Sequence, residues 1–376
     1  MNVLLSLLQK SPDYMQLLQA VEAKQAAAVS GLSQAPRSHV LAALHEHSGR
    51  PLVAVCQDDL AASRLASELG AFLGEQPPVL PSRELTLAGA IGVSRQWEQK
   101  RLRLLYALAQ GQVPVLVTSL DALLLRTMPR EVLFSASVRL RCGAEYNVDD
   151  LVARLTRAGY TRSSLVEGVG QFALRGGILD VYSPACENPL RAEFFGDELD
   201  TMGYFDPITQ RRTENVDEAV LLPVAETEPH LHPQGISGLC EDLRAIIARQ
   251  QRRKTPNQAL IETLQKDCEA LENETLFASA DRYMALIYPE FTTAASYLPQ
   301  EAIVAFCDHG NLQRGEKDRA EEFGLLLDSF LTSGTLFGEL CDYYATMDDL
   351  AASLRGRAVI YCDSFLAARY PESLPP

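Results

Sequence analysis

The sequence is short of positive charge: 34 Lys and Arg stand against 49 Asp and Glu, giving a formal charge of −15 and a pI near 4.9. A net acidic field repels DNA at long range, because phosphate binding is dominated by Lys and Arg. That argues against a free-standing nucleic-acid binder while leaving room for a local basic patch. CxxC spacing is also missing. The eight cysteines, at 56, 142, 186, 240, 268, 307, 341 and 362, are scattered and follow no signal sequence, which points to free thiols in a reducing cytosol and implies no zinc site. The apolar start MNVLLSLLQKSPDYMQLL has no basic region or cleavage signal, and nothing later approaches the ~20 apolar residues of a membrane span. No membrane partner is expected, and the expected location is the cytoplasm. GxSxG, HExxH and a strand-borne GxGxxG are absent, so nothing nominates a general acid and base. His45 and His47, like His230 and His232, are two apart, a spacing that rarely converges on one metal.

What is present reads first as alternating strands and helices. Pro51 to Cys56 (PLVAVC) and Pro114 to Thr118 (PVLVT) are short continuous apolar runs, the form of parallel strands buried on both faces. Helix-like segments follow each, Asp58 to Leu73 and Leu120 to Arg126. The pattern predicts a doubly wound α/β domain. Ser94 to Gln110 also has helix-forming composition, and its Lys100, Arg101 and Arg103 are expected on a solvated face. A second, α+β domain is expected from Ser135. Asn147 can cap a helix with Asp149 and Asp150 in its first turn, and Gly159 supplies the stop. Beyond Pro223 the chain turns helical from about Ile236 to Glu272, broken at Thr255 and Pro256 just after Arg249, Arg252, Arg253 and Lys254. Strand-like runs recur at Ala302 to Cys307 and Ala358 to Cys362, predicting a small sheet beside or completing the first domain.

The stretch from Phe172 to Asp206 carries the most information. Ile178 to Tyr182, Leu190 to Phe195 and Leu199 to Phe205 are β-rich runs separated by turn residues, which predicts a three-stranded antiparallel sheet. Side chains alternate along a strand, so Leu190, Ala192 and Phe194 share one face and Arg191, Glu193 and Phe195 the other. The first set suits a core. The second puts a Phe beside an Arg and a Glu, either as a docking face or beneath a covering loop.

The strings RGGILD and RAEFFGDELD, with YFD and TQRR after them, closely resemble the second domain of the transcription-repair coupling factors and more loosely that of UvrB. The resemblance extends from about Lys24 to the C-terminus. It implies UvrB-like domains 1a, 2 and 1b. The expected fold is α/β: a degenerate P-loop, helicase-like doubly wound domain at 1–134, an inserted UvrA-binding α+β domain at 135–222, and a helical and small-sheet part at 223–376. By position in the motif, Arg175, Arg191 and Phe195 match the residues with which the family recruits UvrA.

The resemblance also calls for a test of nucleotide binding. A phosphate loop needs GxxxxGK[ST], and the matching stretch here runs from Gly31 to Ser38 with Pro36 in place of the second glycine and Arg37 in place of the lysine. Proline removes an N–H donor and restricts the residue before it, so the cradle is expected to fail although Ser38 remains. Asp308 is kept, but His309 follows where helicase-type ATPases carry Glu. No cofactor is expected in this region; ATP and Mg2+ belong to a motor absent from these residues. The resemblance further implies RNA polymerase and double-stranded DNA as partners of the missing C-terminal region, and an intramolecular contact that restrains the motor. Two alternatives stay open: a stand-alone UvrA-binding adaptor, and a UvrB-type helicase subunit with ATP and DNA sites. The second lacks a convincing equivalent of the tyrosine-rich hairpin.

Overall fold

The structure, a computed structural model, describes residues 3–88, 96–273, 277, 279–365 and 370. Fourteen strands run through the described residues. β1 is Ala27–Ser30, β2 Leu52–Cys56, β3 Val79–Leu80, β4 Val115–Ser119, β5 Val138–Arg141, β6 Thr161–Arg162 and β7 Gln171–Arg175. β8 is Ile178–Val181, β9 Leu190–Phe195, β10 Glu198–Phe205, β11 Arg212–Asn215, β12 Glu218–Leu221, β13 Ile303–Cys307 and β14 Ala358–Asp363.

The first sheet is parallel throughout, in the order β1-β14-β13-β2-β4-β3. Both of its faces are covered, which is why its central strands read as unbroken apolar runs. Val53, Val55, Leu116, Val304 and Phe306 enter one core, with the helices Gln96–Ala109, Gly235–Gln251 and Gln258–Glu272. Leu52, Ala54, Val115, Ile303 and Ile360 enter the other, under Pro12–Glu22, Gln34–Ser48 and Asp59–Leu73. The two late runs therefore complete the first sheet, because β13 pairs directly with β2, Ile303 opposite Leu52.

The second sheet has six strands in the order β11-β10-β9-β8-β7-β6, antiparallel except where β6 meets β7. The predicted three strands miss β7, which the Gly176-Gly177 turn joins to β8, and the two short edges. Gly176 has φ +61, and a Cβ on Gly177 would come within 2.6 Å of the Phe194 carbonyl oxygen, so this turn has little room for other residues. The inner face packs on the helix Val148–Arg157, which the Asn147 side chain caps by accepting from the Asp150 N–H at 3.0 Å. Leu151, Leu155, Phe172, Leu179, Leu190, Ala192 and Leu199 form that core. Each fully buried leucine in it contributes about 2 kcal/mol. Gly159 ends the helix at φ +88, where a side chain would run into the Glu228 carboxylate.

Candidate partner-binding face

The outer face of the second sheet holds the three residues expected there. β9 alternates as predicted: Leu190 and Ala192 are buried, and Arg191, Glu193 and Phe195 point the other way. The register across the sheet then sets the neighbours. Arg191 lies opposite Asp180 on β8, Glu193 opposite Ile178, and Ile178 opposite Arg175 on β7. All six of these residues share one face.

Asp180 organises this face. Its carboxylate is 1% exposed, yet it receives Arg191 Nε at 2.7 Å and Arg191 Nη2 at 2.9 Å as a bidentate pair, and Arg175 Nη2 at 2.8 Å. A buried carboxylate needs such partners, because an uncompensated charge is costly to desolvate. The hydrogen bond to Asp180 in turn holds the Arg191 guanidinium above its ordinary pKa. Arg191 also lies over the Phe205 ring, 4.6 Å from its centroid, and Phe205 packs with Val166 and Ala173 in a small apolar cluster on this face. The result is a fixed pair of cations, net positive after Asp180 is counted, with Arg175 half exposed.

Phe195 stands at the rim of this arrangement, 84% exposed, and Ile178 is 38% exposed beside it. Nothing in the described chain covers the Phe195 ring. Sequence reasoning found Arg175, Arg191 and Phe195 but passed over Asp180 and Ile178. The same alternation that grouped Arg191 with Phe195 could have placed both, since Ile178 and Asp180 are two apart on one strand.

The Gly31 to Ser38 stretch forms a loop and the first turn of the helix Gln34–Ser48, with Gly31 at φ +82. Pro36 sits in that first turn, where a missing N–H leaves no intrahelical bond unmade. Arg37 folds inward: its Nη2 lies 2.7 Å from Asp308 Oδ2 and 3.3 Å from the Leu32 carbonyl oxygen. Asp308 Oδ1 also accepts from the Ser364 amide and hydroxyl, both at 3.1 Å. Ser38 Oγ donates to the Ala35 carbonyl at 2.9 Å and is buried. The loop therefore spends its cation and its hydroxyl on internal partners.

The expectation of a solvated face for Lys100, Arg101 and Arg103 is corrected for the arginines. Arg101 is 0% exposed; it pairs with Glu226 at 2.9 Å and donates to the Pro81 and Ala122 carbonyls. Arg103 donates to the Pro184 carbonyl at 2.9 Å. Arg83 extends this buried group, lying 2.8 Å from Asp281 and 3.5 Å from Glu98. The histidine pairs do not converge: His45 bonds the Arg50 carbonyl, His47 the Tyr14 hydroxyl, His230 Glu228 and His232 Asp242.

With this geometry in view, residues 138–226 match the UvrB interaction domain. That span takes in the whole of the second sheet and its helix. The matched span opens at the first residue of β5, which pairs antiparallel with β12, and closes at Glu226 in the buried ionic group. Over a longer reach the chain is similar to transcription-repair coupling factors. It is 38% identical over 221 residues to that of Myxococcus xanthus, covering 57% of this chain and 18% of the relative. It is 27% identical over 373 residues to that of Staphylococcus aureus (strain USA300), covering 97% and 31%, and 24% identical over 348 residues to that of Bacillus subtilis (strain 168), covering 90% and 29%. The chain thus spans less than a third of the length of these curated relatives. No helix among the described residues is long and apolar enough to cross a membrane.

Proposed function

We propose that this chain is the N-terminal, UvrB-like part of a transcription-repair coupling factor, and that its UvrB interaction domain recruits UvrA to stalled RNA polymerase for nucleotide excision repair. One observation carries the reading: an exposed Phe195 beside two arginines that a buried Asp180 holds in place. Preorganised Arg groups and an aromatic anchor are the chemistry of interface hot spots, each worth about 2 kcal/mol or more to binding. Arg175 and Arg191 would take acidic groups of UvrA, and Phe195 would enter an apolar pocket.

The flanking α/β residues, at 1–134 and 223–376, would act as scaffold, a relic of a doubly wound P-loop ATPase. The Arg37–Asp308 pair supports that reading, since it occupies the loop's cation internally. ATP, Mg2+, double-stranded DNA and RNA polymerase would then be handled by the C-terminal part of the parent protein, which this chain does not include. In the parent, another domain would cover the Phe195 face and hold the motor in check until UvrA competes for it.

Titration of the purified chain with UvrA tests the proposal. Tight binding to the native chain and loss in Phe195→Ala and Arg191→Ala is the expected result; unchanged affinity in both variants overturns it. Parallel titration with labelled ATP should give no saturable binding. Deleting the C-terminal part of the parent should raise UvrA affinity, and no rise would remove the autoinhibitory contact.

A further inference from the structure

The helices Gly235–Gln251 and Gln258–Glu272 form an antiparallel hairpin whose connecting turn carries Arg252, Arg253 and Lys254. At the opposite, open end, Cys240 from the first helix meets Cys268 and Glu272 from the second. Cys268 and Glu272 are four apart, so they stack on one helix face. Cys240 Sγ lies 3.8 Å from the Cys268 carbonyl oxygen, and one ligand atom from each of the three residues lies within 4.8 Å of the other two. Both thiols are buried, at 0% and 5% exposure, whereas Glu272 reaches solvent.

We propose that Cys240, Cys268 and Glu272 bind a soft divalent cation of the zinc and cadmium class. Two sulfurs and one carboxylate oxygen are a zinc-type donor set, and water from the open side completes a tetrahedron. Bonds of ~2.3 Å to sulfur and ~2.1 Å to oxygen require the ligand atoms to close by about an ångström. Glu272 can supply that movement by a rotamer change, since its side chain is 45% exposed.

In the metal-free form Glu272 is held by Arg244, one turn along from Cys240. The guanidinium therefore competes with a cation for the carboxylate. Binding thus exchanges two thiol protons, released to solvent, for two metal–sulfur bonds while the carboxylate leaves its arginine. The ion would clamp the end of the hairpin that the turn does not already tie. Eight free cysteines are present, so the assignment is tested by variants rather than by stoichiometry alone.

The reduced 376-residue chain is titrated with Zn2+ in calorimetry and with Cd2+ while following sulfur-to-metal charge-transfer absorption. One ion per chain is expected, with affinity at least tenfold weaker in Cys240→Ser and in Cys268→Ser. Because a buried serine can disturb folding, two surface variants decide independently: Glu272→Gln should weaken Zn2+ several-fold, and Arg244→Ala should tighten it by freeing the carboxylate. The zinc-induced rise in Tm should vanish in Cys240→Ser. Equal affinity in the cysteine variants, absence of the Cd2+ band, or no response in either surface variant would overturn the site.

Discussion

Arg191 grips Asp180 through two hydrogen bonds of 2.7 and 2.9 Å, whereas Arg175 reaches the same carboxylate through one of 2.8 Å. The two arginines are thus unequal, although both lie on the same face of the sheet. Removing Arg191 leaves a buried carboxylate with a single half-exposed partner, a loss of about 2–3 kcal/mol by the cost of breaking a buried pair. Removing Arg175 leaves the bidentate bond intact and should cost less than about 1 kcal/mol. Urea melts of Arg191→Ala and Arg175→Ala check this directly. Equal destabilisation would mean that Asp180 does not distinguish them, and Arg175→Ala is then no cleaner a binding probe.

Phe195 should behave in the reverse way. At 84% exposure its ring contributes little to folding, so Phe195→Ala should leave Tm within a degree or two while lowering UvrA affinity at least tenfold. Melting and titration of the same preparation separate the two effects. A large fall in Tm would show that the ring packs against its own chain.

Much of this face could be read from sequence because it depends on local parity. Leu190, Ala192 and Phe194 against Arg191, Glu193 and Phe195 needs only the two-residue repeat of a strand. Asp180 escaped because its meaning lies in register: it matters only once β8 is known to pair with β9. Range explains the other misses. The Ala302 to Cys307 run was visible as a strand, but its pairing with Leu52–Cys56 spans most of the chain. Arg101 read as solvated because its partner Glu226 is 125 residues away, and a helix's composition says nothing about such a distant counter-charge.

The loop at Gly31 to Ser38 gives a third prediction. Arg37 is 8% exposed and pairs with Asp308, so Arg37→Ala should destabilise the chain by about 2 kcal/mol through the lost ion pair and the space left by the buried side chain. Restoring the phosphate-loop pattern with Pro36→Gly and Arg37→Lys together should still give no ATP binding, because Ser38 is turned to the Ala35 carbonyl. Fluorescent-nucleotide titration of both proteins decides it. Saturable binding by the double variant would mean that the two substitutions alone closed the site.

The buried ionic group supplies a test with a defined sign. Arg83 and Arg101 face three carboxylates, Glu98, Glu226 and Asp281, so one negative charge is in excess. Burial pushes the Glu98 carboxyl above its usual range, against the pull of Arg83. An acid whose pKa is raised on folding binds more protons in the native state than in the unfolded one. Stability should therefore fall as pH rises from the ordinary carboxylate range through the raised value. Glu98→Gln removes that dependence and keeps an oxygen to accept from the Glu226 amide, now at 2.7 Å. The variant should equal or exceed the parent in stability at neutral pH and lose its advantage near pH 4.5, the unfolded pKa of Glu. Denaturant melts of the two proteins across that span measure the difference, and a native chain that gains stability relative to Glu98→Gln with rising pH would place the excess charge on another carboxylate.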